Sequence, residues 1–252
     1  MPDAGSGTPL IVERVADIES MRLVSELLAA VWGRNHEGVP MPSEVLLSIA
    51  HAGGMVSTAR LPGSDDLLGA AVLGRDVPGA AYSYIAAAQP GHTGRGIGHL
   101  LKLHQRDWAL DQGIDLIRWT YDPLVARNAR FNLIKLGALA RVYERAFYGV
   151  MTDDINGADV ADRLVAEWHL ASPRAVRAAA GEFDEVGGPP QGLEPAAMGP
   201  DGLPALVYDG DNRWLRVPAD VVALRRQAPE LASAWRDCTR AWFTEAFAEG
   251  AA

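Results

Sequence analysis

The run His92-Thr93-Gly94-Arg95-Gly96-Ile97-Gly98 places glycines at alternate positions between a β-compatible segment, Ala81 to Ala88, and a helical one that reaches about Asp111. A strand that turns through glycines into a helix leaves backbone N–H groups unpaired at the helix start, where the helix dipole adds positive potential. Residues without side chains let an anion reach those N–H groups, and Thr93 and Arg95 add a hydroxyl donor and a charge. The chemistry expected of this turn is the binding of phosphate or pyrophosphate. It is neither of the familiar nucleotide motifs. The third glycine of G-x-G-x-x-G would fall at His99, and no Gly-Lys-Ser/Thr ending follows.

Other chemistry-bearing residues cluster after the next strand. Asp122-Pro123 stands at the mouth of Asp115 to Thr120, and Asn128 and Asn132 lie one turn apart on the helix expected over Ala126 to Leu136. Both asparagines could hydrogen-bond amides or phosphates; the competing roles are a capping Asn128 and a solvated Asn132. Asp122 is either a base or simply the Asp-Pro start of that helix. Asp162-Arg163 precedes a strand, and its guanidinium is either a carboxylate fork or half of a surface ion pair. No His, Asp or Glu grouping has metal-ligand spacing, and no nucleophile-elbow sequence presents a serine.

The elements that position these residues follow from periodicity. Leu10 to Val15 reads as a strand, and Asp17 caps a helix with Ile18, Met21, Val24, Leu28 and Val31 on one face. Ser43 is expected to cap a second helix that stops at Gly53-Gly54. Met55 to Arg60 and Leu67 to Gly74 form a hairpin across Pro62 to Asp66. Ala138 to Tyr148 and Arg163 to Leu170 are further strands, giving the order β-α-α-β-β-β-α-β-α-β-β. The glycine- and proline-rich stretch Gly181 to Pro204 marks a boundary. Beyond it, a hairpin around Asp209-Gly210-Asp211-Asn212, a helix capped by Asp220 and an amphipathic helix from Glu230 to Ala248 form a tail without recognisable chemistry. The domains expected are 10–170, a helix and linker over 171–204, and a C-terminal extension over 205–252.

Asp and Glu outnumber Lys and Arg by 32 to 23 among 252 residues, so the overall field repels polyanions and disfavours a nucleic-acid partner. The only cysteine is Cys238, which excludes an intrachain disulfide and fits a reducing compartment such as the cytoplasm. Its helical spacing with Leu231, Trp235 and Trp242 predicts a core thiol. No apolar run is long enough to span a bilayer and the leader lacks a signal-peptide pattern, so no membrane partner is expected.

The residues Gln89-Pro90, then Gly94-Arg95-Gly96-Ile97-Gly98 and Leu100-Leu101, resemble the acyl-CoA pyrophosphate motif of the GNAT superfamily, Gln/Arg-x-x-Gly-x-Gly/Ala, with Thr93 in the Gln/Arg position. The element order over residues 10–170 also resembles that of the GNAT fold. Trp119-Thr120-Tyr121-Asp122-Pro123-Leu124, Arg127-Asn128-Ala129, Phe131-Asn132 and Leu136-Gly137 resemble a little-characterised bacterial subset of that superfamily, some of whose members acylate amino acids or similar amines.

The resemblance implies an α/β fold with a mixed, mainly antiparallel sheet flanked by helices, plus a C-terminal α+β extension. It implies acyl-CoA as co-substrate, held by Ala86 and Ala88 of the strand, by Thr93, Gly94, Arg95, Gly96, Ile97 and Gly98 of the turn, and by Asn128 and Asn132. A backbone N–H between Ile85 and Ala88 would stabilise the oxyanion while an amine attacks the thioester directly. The Glu often found on that strand is replaced by Tyr82, Ser83 and Tyr84, and the usual tyrosine acid by Leu133. The candidates left for proton transfer are Asp122, Tyr84 and Tyr143, with Tyr148 a second option for the acid. Trp119 and Arg163 are expected at the acceptor. The reading that follows is transfer of an acetyl, succinyl or similar group to a small-molecule amine. The alternatives are a protein N-acyltransferase and a non-catalytic acyl-CoA-binding sensor; monomer and homodimer both stay open.

Overall fold

Alternating small and branched apolar residues over 55–88 make a β-meander, and helical stripes on either side of it supply two covering layers. The computed structural model describes residues 9–33, 38–92, 94–151, 159–184, 202–204 and 206–250. The chain divides into two compact units, Met1–Ile117 and Arg118–Ala252. The division falls inside a strand, and the C-terminal helices belong to the second unit. Most of the expected boundary stretch, 185–201, lies outside the described residues.

In the first unit β1 (Ile11–Val15), β2 (Met55–Arg60), β3 (Leu67–Arg75) and β4 (Ala80–Ala88) pair antiparallel in chain order. Helix α1 (Ile18–Trp32) begins where the Asp17 carboxylate accepts the Ser20 N–H at 2.8 Å. Its Met21, Val24 and Leu28 pack with Leu46 of α2 (Ser43–His51) on Val56, Ala70 and Val72. Ser43 is not the cap expected of it. Pro42 holds the cap position, and the Ser43 hydroxyl donates to the Glu44 carboxylate. On the opposite core, Ile97 and Leu101 of α3 (Ile97–Asp111) meet Ala59, Leu68 and Ala71. Gly69 permits that approach, since a Cβ there would lie 2.5 Å from Ile97 Cγ2 and 2.8 Å from the Ala87 carbonyl.

The second unit contains β5 (Leu116–Tyr121), which starts at the division, and β6 (Leu139–Glu144) and β7 (Arg163–His169), in the order β5-β7-β6. Strands β6 and β7 run antiparallel. The helix expected over Ala126 to Leu136 is two structures: α4 (Ala126–Arg130) and a π turn, Phe131–Lys135. Gly137 ends it with φ 68°, where a Cβ would stand 2.8 Å from the Arg174 carbonyl. Helix α5 (Pro173–Ala179) is capped by Ser172. The hairpin of β8 (Leu206–Asp209) and β9 (Asn212–Leu215) turns on Gly210-Asp211. Helix α6 (Val221–Gln227) is capped by Asp220 as expected, and α7 (Pro229–Ala248) follows. Cys238 is half-buried and its thiol donates to the Pro204 carbonyl.

Strand β6 stops short of the Tyr148 expected of it. Ala146 adopts φ 51°, and its N–H donates to Asp162 Oδ1 at 2.9 Å, so the chain turns and leaves Phe147 and Tyr148 exposed. The fold class is the expected one, α/β with mainly antiparallel strands flanked by helices.

Candidate functional site

The glycine turn has the backbone of an anion cradle. Gly94 and Gly96 have φ 84° and 78°, and no atom lies within 4 Å of where a Cβ would stand on either. Gly96 occupies the cap position of α3, no side chain caps the helix, and its first turn carries no acidic residue. Gly96 itself offers no side-chain acceptor to the first turn, and Ile97, buried against the β3 core, fixes where the helix starts. Arg95 is exposed beside the turn, with Nη1 3.5 Å from His92 Nδ1. Thr93 lies outside the described residues.

Strand β4 leads into this turn with a local irregularity. Ser83 pairs with Leu73 and Ile85 with Val72, so Tyr84 is an extra residue that bulges the strand. Tyr84 is exposed, stands edge-on to Tyr82 at 5.4 Å and covers Gly74 so closely that a Cβ there would lie 2.5 Å from its ring. Ala86 is exposed and Ala88 half-buried, next along the strand. On the inward face Ser83 accepts a hydrogen bond from Lys102 Nζ at 2.8 Å and donates to Gln105 Oε1 at 3.2 Å. Burial pushes the Lys102 ammonium down to about 7. Sequence reading missed this cluster, although Lys102 and Gln105 fall three residues apart within the apolar stripe of α3.

In the second unit the structure corrects the expectations for Asp122, Tyr143, Trp119, Arg163 and the asparagine pair. Asp122 is not an accessible base. It is 5% exposed, and its carboxylate accepts from Arg236 at 2.9 and 2.7 Å and from Arg225 at 2.6 Å. Burial acts to raise its pKa, but the hydrogen bonds and charges of Arg236 and Arg225 outweigh burial and hold it below the ordinary value. Nor does it cap α4: Val125 holds that position, and Asp122 Oδ1 accepts the Leu124 N–H instead. Arg225 and Arg236 also reach Asp159, and Arg163 lies 3.9 Å from Asp122.

Tyr143 is tied up in a second cluster. Its hydroxyl donates to Asp162 Oδ2 at 2.6 Å, its ring stacks on Phe243 at 5.3 Å, and Arg240 completes the carboxylate's shell. Burial, and then the bond to Asp162, push this phenol's pKa up, so it is a poor acid at neutral pH. Trp119 is not at a surface either. Ile117, Trp119 and Tyr121 alternate inward on β5, and the Trp119 ring stands edge-on to Trp168 at 6.1 Å in the core.

Arg163 is buried rather than presented as an open fork. It donates to the Asp162 carbonyl and to Met151 Sδ, and its guanidinium lies 5.5 Å from the Tyr148 ring centre. Asn128 and Asn132 do not share a face. The switch from α to π winding at Phe131 turns Asn132 inward, where it is buried, while Asn128 is exposed. Tyr148 is an exposed phenol of this unit, and its hydroxyl lies 3.3 Å from Thr120 Oγ1 on β5. Among the described residues no group of three or more His, Cys, Asp or Glu side chains could hold a metal ion, and no helix is long and apolar enough to cross a membrane.

No protein-family model and no curated protein matches the chain. Solved structures do. A putative GNAT-family acetyltransferase from Desulfovibrio desulfuricans matches over 65% of this chain and 100% of its own, with TM-score 0.51 and 19% identity. A Bacillus subtilis acetyltransferase in complex with CoA matches over 64% and 99%, with TM-score 0.51 and 19% identity. The ribosomal-protein-S18-alanine N-acetyltransferase of Escherichia coli matches over 66% and 97%, with TM-score 0.51 and 14% identity. With the element order and the turn into α3 already in place, these likenesses establish that the chain has the fold of the GNAT acetyltransferases.

Proposed function

We propose that the protein is an acyl-CoA-dependent N-acyltransferase that acylates the amine of a small molecule. The observation that carries this reading is the start of α3: left-handed glycines with open space at each Cβ, no capping side chain and no acidic residue in the first turn. That arrangement suits a pyrophosphate. Gly94, Arg95, Gly96, Ile97 and Gly98 would hold it, with Thr93 beside them, and Ala86 and Ala88 of β4 would offer backbone groups to the pantetheine arm as an added strand would. Asn128, exposed on α4, is a candidate for the same ligand; Asn132, being buried, is a weaker one. Bound acyl-CoA supplies a thioester carbonyl open to attack and a thiolate that leaves.

For this chain's own residues the proposal follows accessibility. Tyr84 on the bulge of β4 and Tyr148 are the exposed phenols among the tyrosines considered for proton transfer. We place Tyr148 first as the proton donor, because its hydroxyl lies within reach of Thr120 Oγ1 and its ring is held against the Arg163 guanidinium. Asp122 and Tyr143 serve positioning roles in this reading. Arg163 contributes through Tyr148 and not as a direct fork for the acceptor.

The test is thiol release from acetyl-CoA and succinyl-CoA against small amines, amino acids and a short peptide, alongside calorimetric titration with CoA. The expected outcome is CoA binding that weakens at least about tenfold in Gly96→Asp, which puts a carboxylate at the cradle, with the circular dichroism spectrum retained. Turnover is expected on amines smaller than the peptide. Absence of CoA binding by the native chain sinks the proposal, binding without turnover on any acceptor favours an acyl-CoA sensor, and turnover only on the peptide favours a protein acyltransferase.

A further inference from the structure

The second unit contains a cavity of about 600 Å³, in the size range that takes a small molecule. Its floor is the π turn and β6, through Leu133 and Leu139, and its other walls are the β8–β9 hairpin and the Phe243 and Phe247 rings of α7. The body of such a space is apolar. Asp211, Asn212 and Glu249 bring acceptors to its hairpin side, and its donors are the guanidiniums of Arg174 and Arg213, the Trp242 indole and the Tyr121 hydroxyl.

Each of these donor side chains has a polar atom sealed from solvent with no partner among the described residues: Arg174 Nε, Arg213 Nη1, Trp242 Nε1 and Tyr121 Oη. Buried donors are ordinarily satisfied, and four that border one cavity mark a place where an acceptor would be met once the side chains around it adjust. Arg213 already has Glu249 as an ion-pair partner. Arg174 donates to the Leu133 carbonyl at 2.6 Å and meets no carboxylate among the described residues. The one other acidic residue of the lining, Asp211, is exposed at the hairpin turn.

We infer that this cavity is a binding site for a small organic carboxylate with an apolar or aromatic body, its anionic end on Arg174 and its body between Leu133, Leu139 and the α7 rings. A guanidinium recognises a carboxylate through paired N–H donors, and the indole and phenol supply further ones. Because Arg174 also holds the carbonyl of Leu133, an occupant engages the side chain that pins the π turn. Such turns recur where a helix is shaped by function rather than by its own ladder.

The experiment is calorimetric titration and thermal unfolding of the full chain with 4-phenylbutyrate and hexanoate, with 4-phenylbutylamine as the control of opposite charge. The expected result is binding of the carboxylates with a rise in unfolding temperature, and none with the amine. Ala246→Phe, which fills the cavity from α7, and Arg174→Gln, which keeps a donor toward Leu133 but removes the charge, should each weaken carboxylate binding at least about tenfold. Both variants are compared with the native chain by circular dichroism and unfolding temperature before titration. If Ala246→Phe does not fold, Arg174→Gln alone decides. Absence of carboxylate binding at about 10 mM, equal binding of the amine, or unchanged affinity in a folded variant would overturn the assignment.

Discussion

At Asp122 a carboxylate with the address of a catalytic base turns out to be the hub of a charge cluster. Its two arginine partners come from 103 and 114 residues along the chain. Removing its charge leaves Arg225 and Arg236 buried with Asp159 but without the carboxylate that holds them both most closely, so Asp122→Asn should cost up to about 3–5 kcal/mol of stability, read as a lower urea midpoint. The pH dependence has a definite sign. The folded-state pKa lies below the ordinary 3.8, so the stabilisation is complete above that value and is lost as pH falls through the lower, folded-state pKa. Acid titration of the native chain should show that loss, and the variant should lack it; a variant as stable as the native chain would mean the cluster contributes little. Tyr148→Phe makes the complementary test. It removes an exposed hydroxyl, so turnover should fall at least about tenfold with the unfolding temperature unchanged; full activity would remove Tyr148 from the proposal. Why Asp122 misleads is plain from these distances: the local signal, Asp-Pro after a strand, carries nothing about arginines on α6 and α7. Trp119 is different, because the alternation of Ile117, Trp119 and Tyr121 already pointed it inward.

Among elements, α3 and β4 were the most legible, since glycine spacing and an apolar stripe are local properties that survive into the fold. The bulge at Tyr84 was not, because β4 register depends on which β3 residues face it. The π turn was not either: its winding is held by the Leu133 carbonyl going to Arg174 and by the close passage of Gly137 under α5, both long-range contacts. Lys102 provides a test at this scale. Its ammonium is buried between α3 and β4, and burial lowers its pKa from 10.5 to about 7. Between those values the unfolded chain binds more protons than the folded one, so this lysine makes stability rise with pH across that interval and costs most at or below its lower end. Lys102→Met should therefore raise the unfolding temperature by several degrees near pH 6, with the gain shrinking toward pH 10. Equal gains at both values would show that the ammonium is not depressed in the fold, and destabilisation at pH 6 would show that the bond to Ser83 outweighs desolvation.

For the whole molecule, what the sequence presents as an appendage behaves in the structure as part of the second unit. Arg225 of α6 and Arg236 and Arg240 of α7 neutralise Asp122, Asp159 and Asp162, while Phe243 of α7 stacks on Tyr143 of β6. A separate domain would be joined through a wetter surface with few buried charges. Three carboxylates that depend on arginines from the last two helices make the second unit's folding conditional on those helices. A chain ending at residue 204 should accordingly fail to show the cooperative unfolding transition of the second unit, and limited proteolysis should degrade it past β5. Supplying residues 205–252 as a separate polypeptide should restore protection, since the ion pairs need proximity and not a covalent link. If instead the shortened chain unfolds cooperatively at the native temperature, the tail is an independent domain and the arginine clusters are incidental to stability. Local pairing, not overall charge, decides between these outcomes: the tail carries slightly more acidic residues than arginines, but Arg225, Arg236 and Arg240 are the ones that neutralise Asp122, Asp159 and Asp162, and those carboxylates lose them when it is removed.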